Sequence, residues 1–221
     1  MIPARAALFS LVSGTSFLLT TAPVFGQPTT YGEAMRWYEQ QANAGSAKAQ
    51  YLLGLLFERG AGPRGKDPER AFQWFEKAAA QGHADAQFKV GSAYQFANGV
   101  VADPQKALDW YRKAAEQRVP EAQFNLAYMI ENAIAGQQPI EEAARNYRAA
   151  AEQGFGRAQL NLGYLYYQGK GVGRDLAEAW AWFRAAESRN VPEAADARSR
   201  VEADMSPDEA ARARKLAKDR I

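Results

Sequence analysis

Large apolar residues along this chain recur at helical spacing, and the same helical stretch returns after about 36 residues. In its first full copy the apolar positions follow an i, i+3, i+4, i+7, i+8 pattern: Ala49, Leu52, Leu53, Leu56 and Phe57. This spacing predicts an amphipathic helix over residues 47–59. The copies each begin with an Ala-Gln pair, at Ala49, Ala86, Ala122 and Ala158. A fixed period of this length is typical of a solenoid of repeated helix pairs.

Each repeat contains a second predicted helix, here called helix B to distinguish it from the preceding helix A. Asp67-Pro68 and Asp103-Pro104 place a carboxylate at the N-cap and a proline at the first helical position. Asp175 serves the fourth repeat in the same way, whereas the third keeps only Pro139. One aromatic position recurs in helix B with a single lapse, at Trp37, Trp74, Trp110, Asn146 and Trp182.

Glycines mark the ends of several helices B and the middle of most helices A. Gly45, Gly82 and Gly154 are predicted left-handed C-caps. Arg118 and Asn190 stand at this position in the other repeats, and because Val-Pro follows each, we expect the proline to end the helix there. A small residue recurs inside helix A, at Gly54, Gly91, Ala127 and Gly163. Since a glycine inside a helix costs about 1 kcal/mol, these positions predict close helix crossings.

The pattern predicts an all-α fold, an α-solenoid wound as a right-handed superhelix. Four A/B repeats occupy residues 49–193, preceded by a half-repeat over residues 27–48 that matches only a helix B. Residues 194–221 are predicted capping helices, the last of which begins at the capping box Ser206-Pro207-Asp208-Glu209.

The first 26 residues fall outside the repeats and match a secretory signal peptide. Arg5 is followed by a charge-free run over residues 6–22, and Val24 and Gly26 fit the −3 and −1 cleavage positions. We therefore expect export to the periplasm or the medium, with no membrane span after cleavage. An uncleaved membrane anchor is the alternative, although the serines, threonines and glycine in the run weaken it as a bilayer span.

Charge and composition narrow the chemistry. The formal charge is +2, with basic and acidic residues interspersed, so no basic stripe points to nucleic acid. The chain has no cysteine, which removes disulfides, thiolate nucleophiles and most zinc sites. His83, the single histidine, has no triad or metal-site partner at a supporting spacing, and Glu131, Glu141 and Glu142 read as solvated. We expect no catalytic group, metal site or cofactor.

Two segments carry a resemblance to the Sel-one-like repeat family, a branch of the tetratricopeptide-like α-solenoids. They are residues 158–175, which follow its A-x-x-x-L-G-x-x-Y-x-x-G-x-G pattern, and residues 106–115, which follow its K-A-x-x-W-Y-x-K-A-A pattern. The resemblance covers residues 31–205 and implies a scaffold or adaptor that binds proteins, often in the bacterial envelope. Cysteine-rich relatives are linked to penicillin binding, so a cell-wall or β-lactam-directed hydrolase is the alternative function. The absence of cysteine disfavours it.

By analogy with tetratricopeptide arrays, helix A lines a concave face. Residues two positions before and after its core leucine lie off the buried stripe, and we predict that they bind a protein or peptide partner: Tyr51, Leu55, Phe88, Phe124, Tyr128, Leu160 and Tyr164. Additional packing between repeats is an equally good interpretation of these aromatics. The predicted function is thus a non-enzymatic, monomeric interaction module.

Overall fold

The computed structural model describes residues 31–60, 65–218 and 220, and within them the chain is all-helical without a β-strand. Its eleven described helices are α1 (Tyr31–Asn43), α2 (Ala47–Arg59), α3 (Pro68–Ala80), α4 (Ala84–Phe96), α5 (Pro104–Glu116), α6 (Pro120–Glu131), α7 (Ile140–Glu152), α8 (Gly156–Gln168), α9 (Leu176–Ser188), α10 (Ala194–Ala203) and α11 (Pro207–Lys218). From α1 to α10, each helix packs against the next along the chain. The predicted all-α solenoid is confirmed. The predicted signal peptide lies outside the described residues.

Helices A (α2, α4, α6 and α8) pair most closely with the helix B that follows each of them (α3, α5, α7 and α9). The small residue of helix A makes this closeness possible. A Cβ atom on Gly91 would lie 2.8 Å from the ring of Tyr111, and one on Gly163 would lie 2.5 Å from the ring of Phe183. Gly54 meets the ring of Phe75 in the same way, at 2.6 Å. Since real Cβ contacts are essentially never this short, the predicted close crossings are confirmed.

The core runs through the stack as layers of alanine around single large rings. In each helix B the fully or nearly fully buried ring comes one residue after the recurrent tryptophan position: Phe75, Tyr111, Tyr147 and Phe183. Trp74 and Trp110 themselves are half-buried, whereas Trp182 is only 5% exposed. Two alanines in the last turn of each helix B complete the layer.

Helix ends largely follow the predicted capping chemistry. The Asp67 side chain accepts a hydrogen bond from the Arg70 backbone N–H at 3.0 Å, and Asp103 and Asp175 cap α5 and α9 in the same way. The prediction that proline ends helix B where glycine is missing is wrong. Arg118 and Asn190 adopt the left-handed conformation themselves, with φ of 63° and 55°. Pro120 instead occupies the first turn of α6, where the missing N–H removes no helical hydrogen bond.

A relay of glutamine amides joins successive repeats. Gln87 is buried in helix A, and its Nε2 donates to the Ala79 carbonyl at 3.3 Å. Its Oε1 accepts from Gln117 Nε2, at the end of the next helix B, at 2.7 Å. Gln50 and Gln123 make the same pair of contacts, with Gln81 and Gln153 as donors. In the fourth repeat Arg189 replaces the donor, and the buried Gln159 Oε1 has no hydrogen-bond partner.

The C-terminal end departs from the repeat pattern. Although α10 packs on α9 as a further helix A would, α11 also packs mainly on α9 instead of pairing with α10. Ala213 and Ala217 are buried in this contact, and Arg212 forms an ion pair with the N-cap carboxylate of Asp175. The Arg220 guanidinium lies 4.0 Å from the ring centre of Trp182 and covers that ring of α9.

Replacing Gly163 with alanine should lower the free energy of unfolding. The new methyl group would force Phe183 out of place, a strain of about 1–3 kcal/mol that exceeds the gain of about 1 kcal/mol in helix propensity. Urea denaturation of the variant measures the difference. Gly32→Ala is the matched control, because a Cβ there meets nothing closer than 3.8 Å. A Gly163→Ala protein at least as stable as the wild type would show that the ring adjusts without strain.

Placing a charge between α9 and α11 should detach the last helix. We expect Ala213→Asp to cost about 1–3 kcal/mol, because the carboxylate would be buried without a partner. Exposure of Trp182 should shift the fluorescence emission to longer wavelength. Ala211→Asp adds the same group on the exposed side of α11 and should change stability by less than about 0.5 kcal/mol. Equal effects of the two substitutions would refute an α11 that covers the repeats.

Candidate functional site

The predicted partner-binding residues form a row along helices α2, α4, α6 and α8, here called the helix A stripe: Tyr51, Leu55, Phe88, Phe124, Tyr128, Leu160 and Tyr164. Their exposure differs along the row. Tyr128 is 42% exposed, the most open of them, and Leu160 is only 8% exposed. The other five are half-buried, so part of each side chain is open to solvent while the remainder packs inside the protein.

Several stripe rings contact both the buried ring of their own repeat and the residue that starts the next repeat. The ring centre of Phe124 lies 5.8 Å from that of Tyr147 and 5.1 Å from that of Phe155, the N-cap residue of α8. The ring centre of Tyr51 lies 5.8 Å from that of Phe75. Tyr51 also stacks on His83, the N-cap residue of α4, with the ring centres 4.6 Å apart. Burial, with a smaller contribution from Asp85 and Glu58, raises the pKa of Tyr51 to about 12. These rings therefore hold repeats together whether or not they also meet a partner.

The exposed part of the stripe is centred on the third repeat. Phe124 and Tyr128 are stacked with their ring centres 6.3 Å apart. In the next repeat, Tyr164 packs edge-on against Phe183 at 5.0 Å. Leu160 instead belongs to the cluster formed by α8, α9 and α10. The stripe thus exposes aromatic surface at Tyr128 and Tyr164, whereas Leu160 exposes almost no surface.

Polar side chains run beside the aromatic stripe and link neighbouring repeats. Lys89 and Glu58 form an ion pair at 2.8 Å between α4 and α2. The Tyr147 hydroxyl donates to Glu131 Oε2 at 2.8 Å and accepts from Asn161 Nδ2 at 2.9 Å. Burial, followed by the nearby Glu131 carboxylate, raises the pKa of Tyr147 strongly.

Sequence reasoning placed Glu131 and Glu142 on a solvated face, and this is wrong for both. Glu131 is half-buried against Tyr147 and Lys170, and Glu142 pairs with Arg112 at 2.9 Å. The repeat alignment could have revealed the role of Glu131, because Glu58 and Gln95 occupy the same position in earlier repeats. Glu58 accepts a hydrogen bond from Lys89 of the next repeat, and Gln95 accepts one from the other helix of its own repeat.

His83 has a structural role in the described fold. Its Nδ1 accepts a hydrogen bond from the Ala86 backbone N–H at 3.3 Å, which caps α4 as Ser46 caps α2. Burial is the main cause that lowers the pKa of His83, and the nearby Asp85 opposes it. The lowered pKa favours the neutral imidazole, whose Nδ1 can accept the capping bond.

Neither a metal-binding cluster nor a membrane-spanning helix is found in the part of the chain that the structure describes. It holds no group of three or more histidine or carboxylate side chains placed to bind a metal. None of the described helices is long and apolar enough to cross a bilayer.

Comparison with known proteins gives consistent results. The family model described as Sel1 repeat matches residues 27–46, 47–83, 84–119, 120–155 and 156–191. A Sel1 repeat protein from Oxalobacter formigenes is similar in structure, with a TM-score of 0.67 and 28% identity over 83% of this chain and 75% of its own. A second similar structure is c5321, a protective antigen of uropathogenic Escherichia coli with an SLR fold. Its TM-score is 0.53 at 29% identity, over 88% of this chain and 49% of its own. No curated protein matches the sequence.

Acidification should weaken the fold through His83. Because the folded protein lowers the pKa of this histidine below its usual 6.5, the unfolded chain binds the proton more readily. The stabilising contribution of the neutral side chain is therefore complete above pH 6.5 and is lost as the pH falls through the folded-state pKa. Urea denaturation between pH 7.5 and 5.5 should show a steeper loss for the wild type than for His83→Asn, which can cap α4 at either pH. Parallel pH profiles would contradict this role.

Proposed function

The chain belongs to the Sel1 repeat family, and we propose that it is a non-enzymatic module of the bacterial periplasm or cell envelope that binds a partner protein or peptide along the helix A stripe. Sel1 repeat proteins are generally protein-interaction scaffolds. The proposal assigns that role to one face of this chain and places it outside the cytoplasm.

The exposed ring of Tyr128 is the observation that carries the choice of face. Tyr128 is 42% exposed and is stacked on Phe124, whose ring in turn packs against the buried Tyr147, so it presents a well-supported aromatic surface. Tyrosine binds at a low entropic cost because it has few side-chain torsions, and aromatic residues are enriched among binding hot spots. Its neighbour Phe124 is already fixed by Phe155, so little ordering is needed on binding.

Charges around the stripe favour a selective contact over a general electrostatic one. Glu58, Lys89 and Glu131 lie beside it and are already paired within the protein. Paired charges of both signs fix the register of a partner and reject like charges, while they provide no long-range attraction for polyanions. The formal charge of +2 over the whole chain agrees with this.

Export is inferred from the amino-terminal sequence alone. The charge-free run after Arg5 and the small residues before Gln27 fit a secretory signal, and the absence of cysteine is compatible with an oxidising compartment. A partner in the envelope follows from that location.

Removing the Tyr128 ring should weaken partner binding without affecting the fold. A partner would be recovered from periplasmic extract on the immobilised protein, purified, and titrated by calorimetry. Tyr128→Ala should weaken its binding by about 1 kcal/mol or more, as truncation of a hot spot does, and circular dichroism should stay unchanged.

Phe96→Ala is the matched control, because this ring is 68% exposed at the end of α4 and lies off the stripe. Equal affinities of wild type and Tyr128→Ala would exclude the stripe as the binding surface. Recovery of the partner only from cytosolic extract would contradict the proposed location.

A further inference from the structure

The third repeat lacks the tryptophan that helix B carries in the other repeats. Asn146 stands in α7 where Trp74, Trp110 and Trp182 stand in α3, α5 and α9. Its side chain does not replace the missing ring, because Asn146 Nδ2 donates to the Glu142 carbonyl of its own helix at 2.9 Å. The place that an indole would occupy is left open.

The other repeats show what that place normally holds. Trp74 packs against the cluster that contains Ala42 of α1 and Leu53 of α2. These are the end of the preceding helix B and the core leucine of the helix A between them. In the third repeat the same two positions are Ala115 and Leu126.

A cleft of about 180 Å³ lies at this place between α5, α6 and α7. Its lining residues are Arg112, Ala115, Glu116, Leu126, Glu142 and Asn146. The two residues equivalent to the tryptophan contacts of the first repeat, Ala115 and Leu126, are thus both in its wall. The volume is well above the roughly 10–15 Å³ that a cavity needs to hold one water molecule.

A cation accompanies the indole in the other three full repeats, from a lysine one turn along helix B in the first two and from Arg220 near the C-terminus in the fourth, where Ala185 stands at the lysine position. Lys77 Nζ lies 4.0 Å from the ring centre of Trp74, and Lys113 Nζ lies 3.9 Å from that of Trp110. Ala149 occupies the corresponding position in α7, so the third repeat has no such lysine. The cleft nevertheless has a cation in its wall, because Arg112 is held there by Glu142 with an Nε–Oε1 distance of 2.9 Å.

We propose that this cleft binds an aromatic side chain of a partner polypeptide, and an indole in preference to other rings. Ala115 and Leu126 would supply the apolar contact, Arg112 a cation–π contact, and Glu116 an acceptor for the indole N–H. Because Glu116 and Glu142 outnumber Arg112 at the cleft, a basic residue beside the partner's tryptophan complements it. The cleft opens between two helices B, so this site is separate from the helix A stripe and does not rest on the function proposed above.

Binding of N-acetyltryptophanamide to the ¹⁵N-labelled protein, followed by two-dimensional NMR, tests the site. We expect saturable shifts of the Ala115, Leu126 and Asn146 amide signals, with a dissociation constant on the order of millimolar for so small a probe. N-acetylleucinamide should bind at least about tenfold more weakly, since it lacks a ring for the Arg112 contact. Absence of saturable shifts at these three residues, or equal affinity for the two probes, would overturn the proposal.

Filling the cleft from within is the decisive variant. Asn146→Trp should abolish the shifts and raise the melting temperature by roughly 2–4 °C, as cavity-filling substitutions do. Asn146→Ala is its matched control and should bind within about threefold of the wild type, because it leaves the cleft open. Tyr128→Ala should also bind normally.

Persistence of the shifts in a folded Asn146→Trp protein would place the probe elsewhere and refute the site. Should that variant fail to fold, Arg112→Ala provides a second test. It should weaken binding of the tryptophan probe severalfold and leave the leucine probe unaffected, whereas an unchanged affinity for the tryptophan probe would refute the cation–π contact.

Discussion

The contact between a glycine in helix A and a ring in helix B sets the dimensions of this protein. At Gly54, Gly91 and Gly163 the missing side chain lets the ring of Phe75, Tyr111 or Phe183 lie directly on the helix backbone. Because the ring is fixed there, the neighbouring residue of helix B reaches the preceding helix B, where Trp74 packs against the cluster that contains Ala42 of α1. The third repeat reaches the same arrangement with Ala127 and a fully buried Tyr147, whose hydroxyl is held by Glu131 and Asn161.

Local signals in the sequence were sufficient for most of the fold. The period predicted α2 with its observed bounds, and the Asp-Pro pairs predicted the starts of α3 and α5, because capping depends only on nearby residues. Local rules failed where the alternatives are close in energy. Arg118 and Asn190 accept a left-handed conformation that glycine would adopt more easily. The proline after Arg118 begins α6, and the proline after Asn190 lies in the turn before α10. The position of α11 on α9 depends on tertiary contacts of Ala213 and Arg220, which no periodicity reveals.

The candidate site was less predictable than the fold, since spacing gives the face of a helix but not the share of each side chain that neighbours cover. Tyr51 and Phe124 satisfy both interpretations that the sequence allowed, because each packs against the start of the next repeat and keeps part of its ring exposed. Glu131 was misjudged because its partner, the Tyr147 hydroxyl, reaches it only when the two helices of the repeat are paired. Because the helix A stripe also joins the repeats, binding of a partner there would depend on how neighbouring repeats are positioned relative to each other.

The glutamine relay makes each repeat boundary part of a one-dimensional cooperative system. Gln87 bonds backward across the repeat boundary to Ala79 and forward to Gln117 of its own repeat, so one amide ties the boundary to the pairing of helices A and B. In a nearest-neighbour description of solenoid stability, such shared groups raise the coupling between units relative to their intrinsic stability. Gln159 keeps the bond across the boundary to Ala151 at 3.1 Å but lacks the bond within its own repeat, because Arg189 does not supply it. In this repeat α9 is therefore tied to α8 by one amide bond fewer than the earlier helices B are to their helices A, and cooperative unfolding would begin with α9 and the helices α10 and α11 that pack on it.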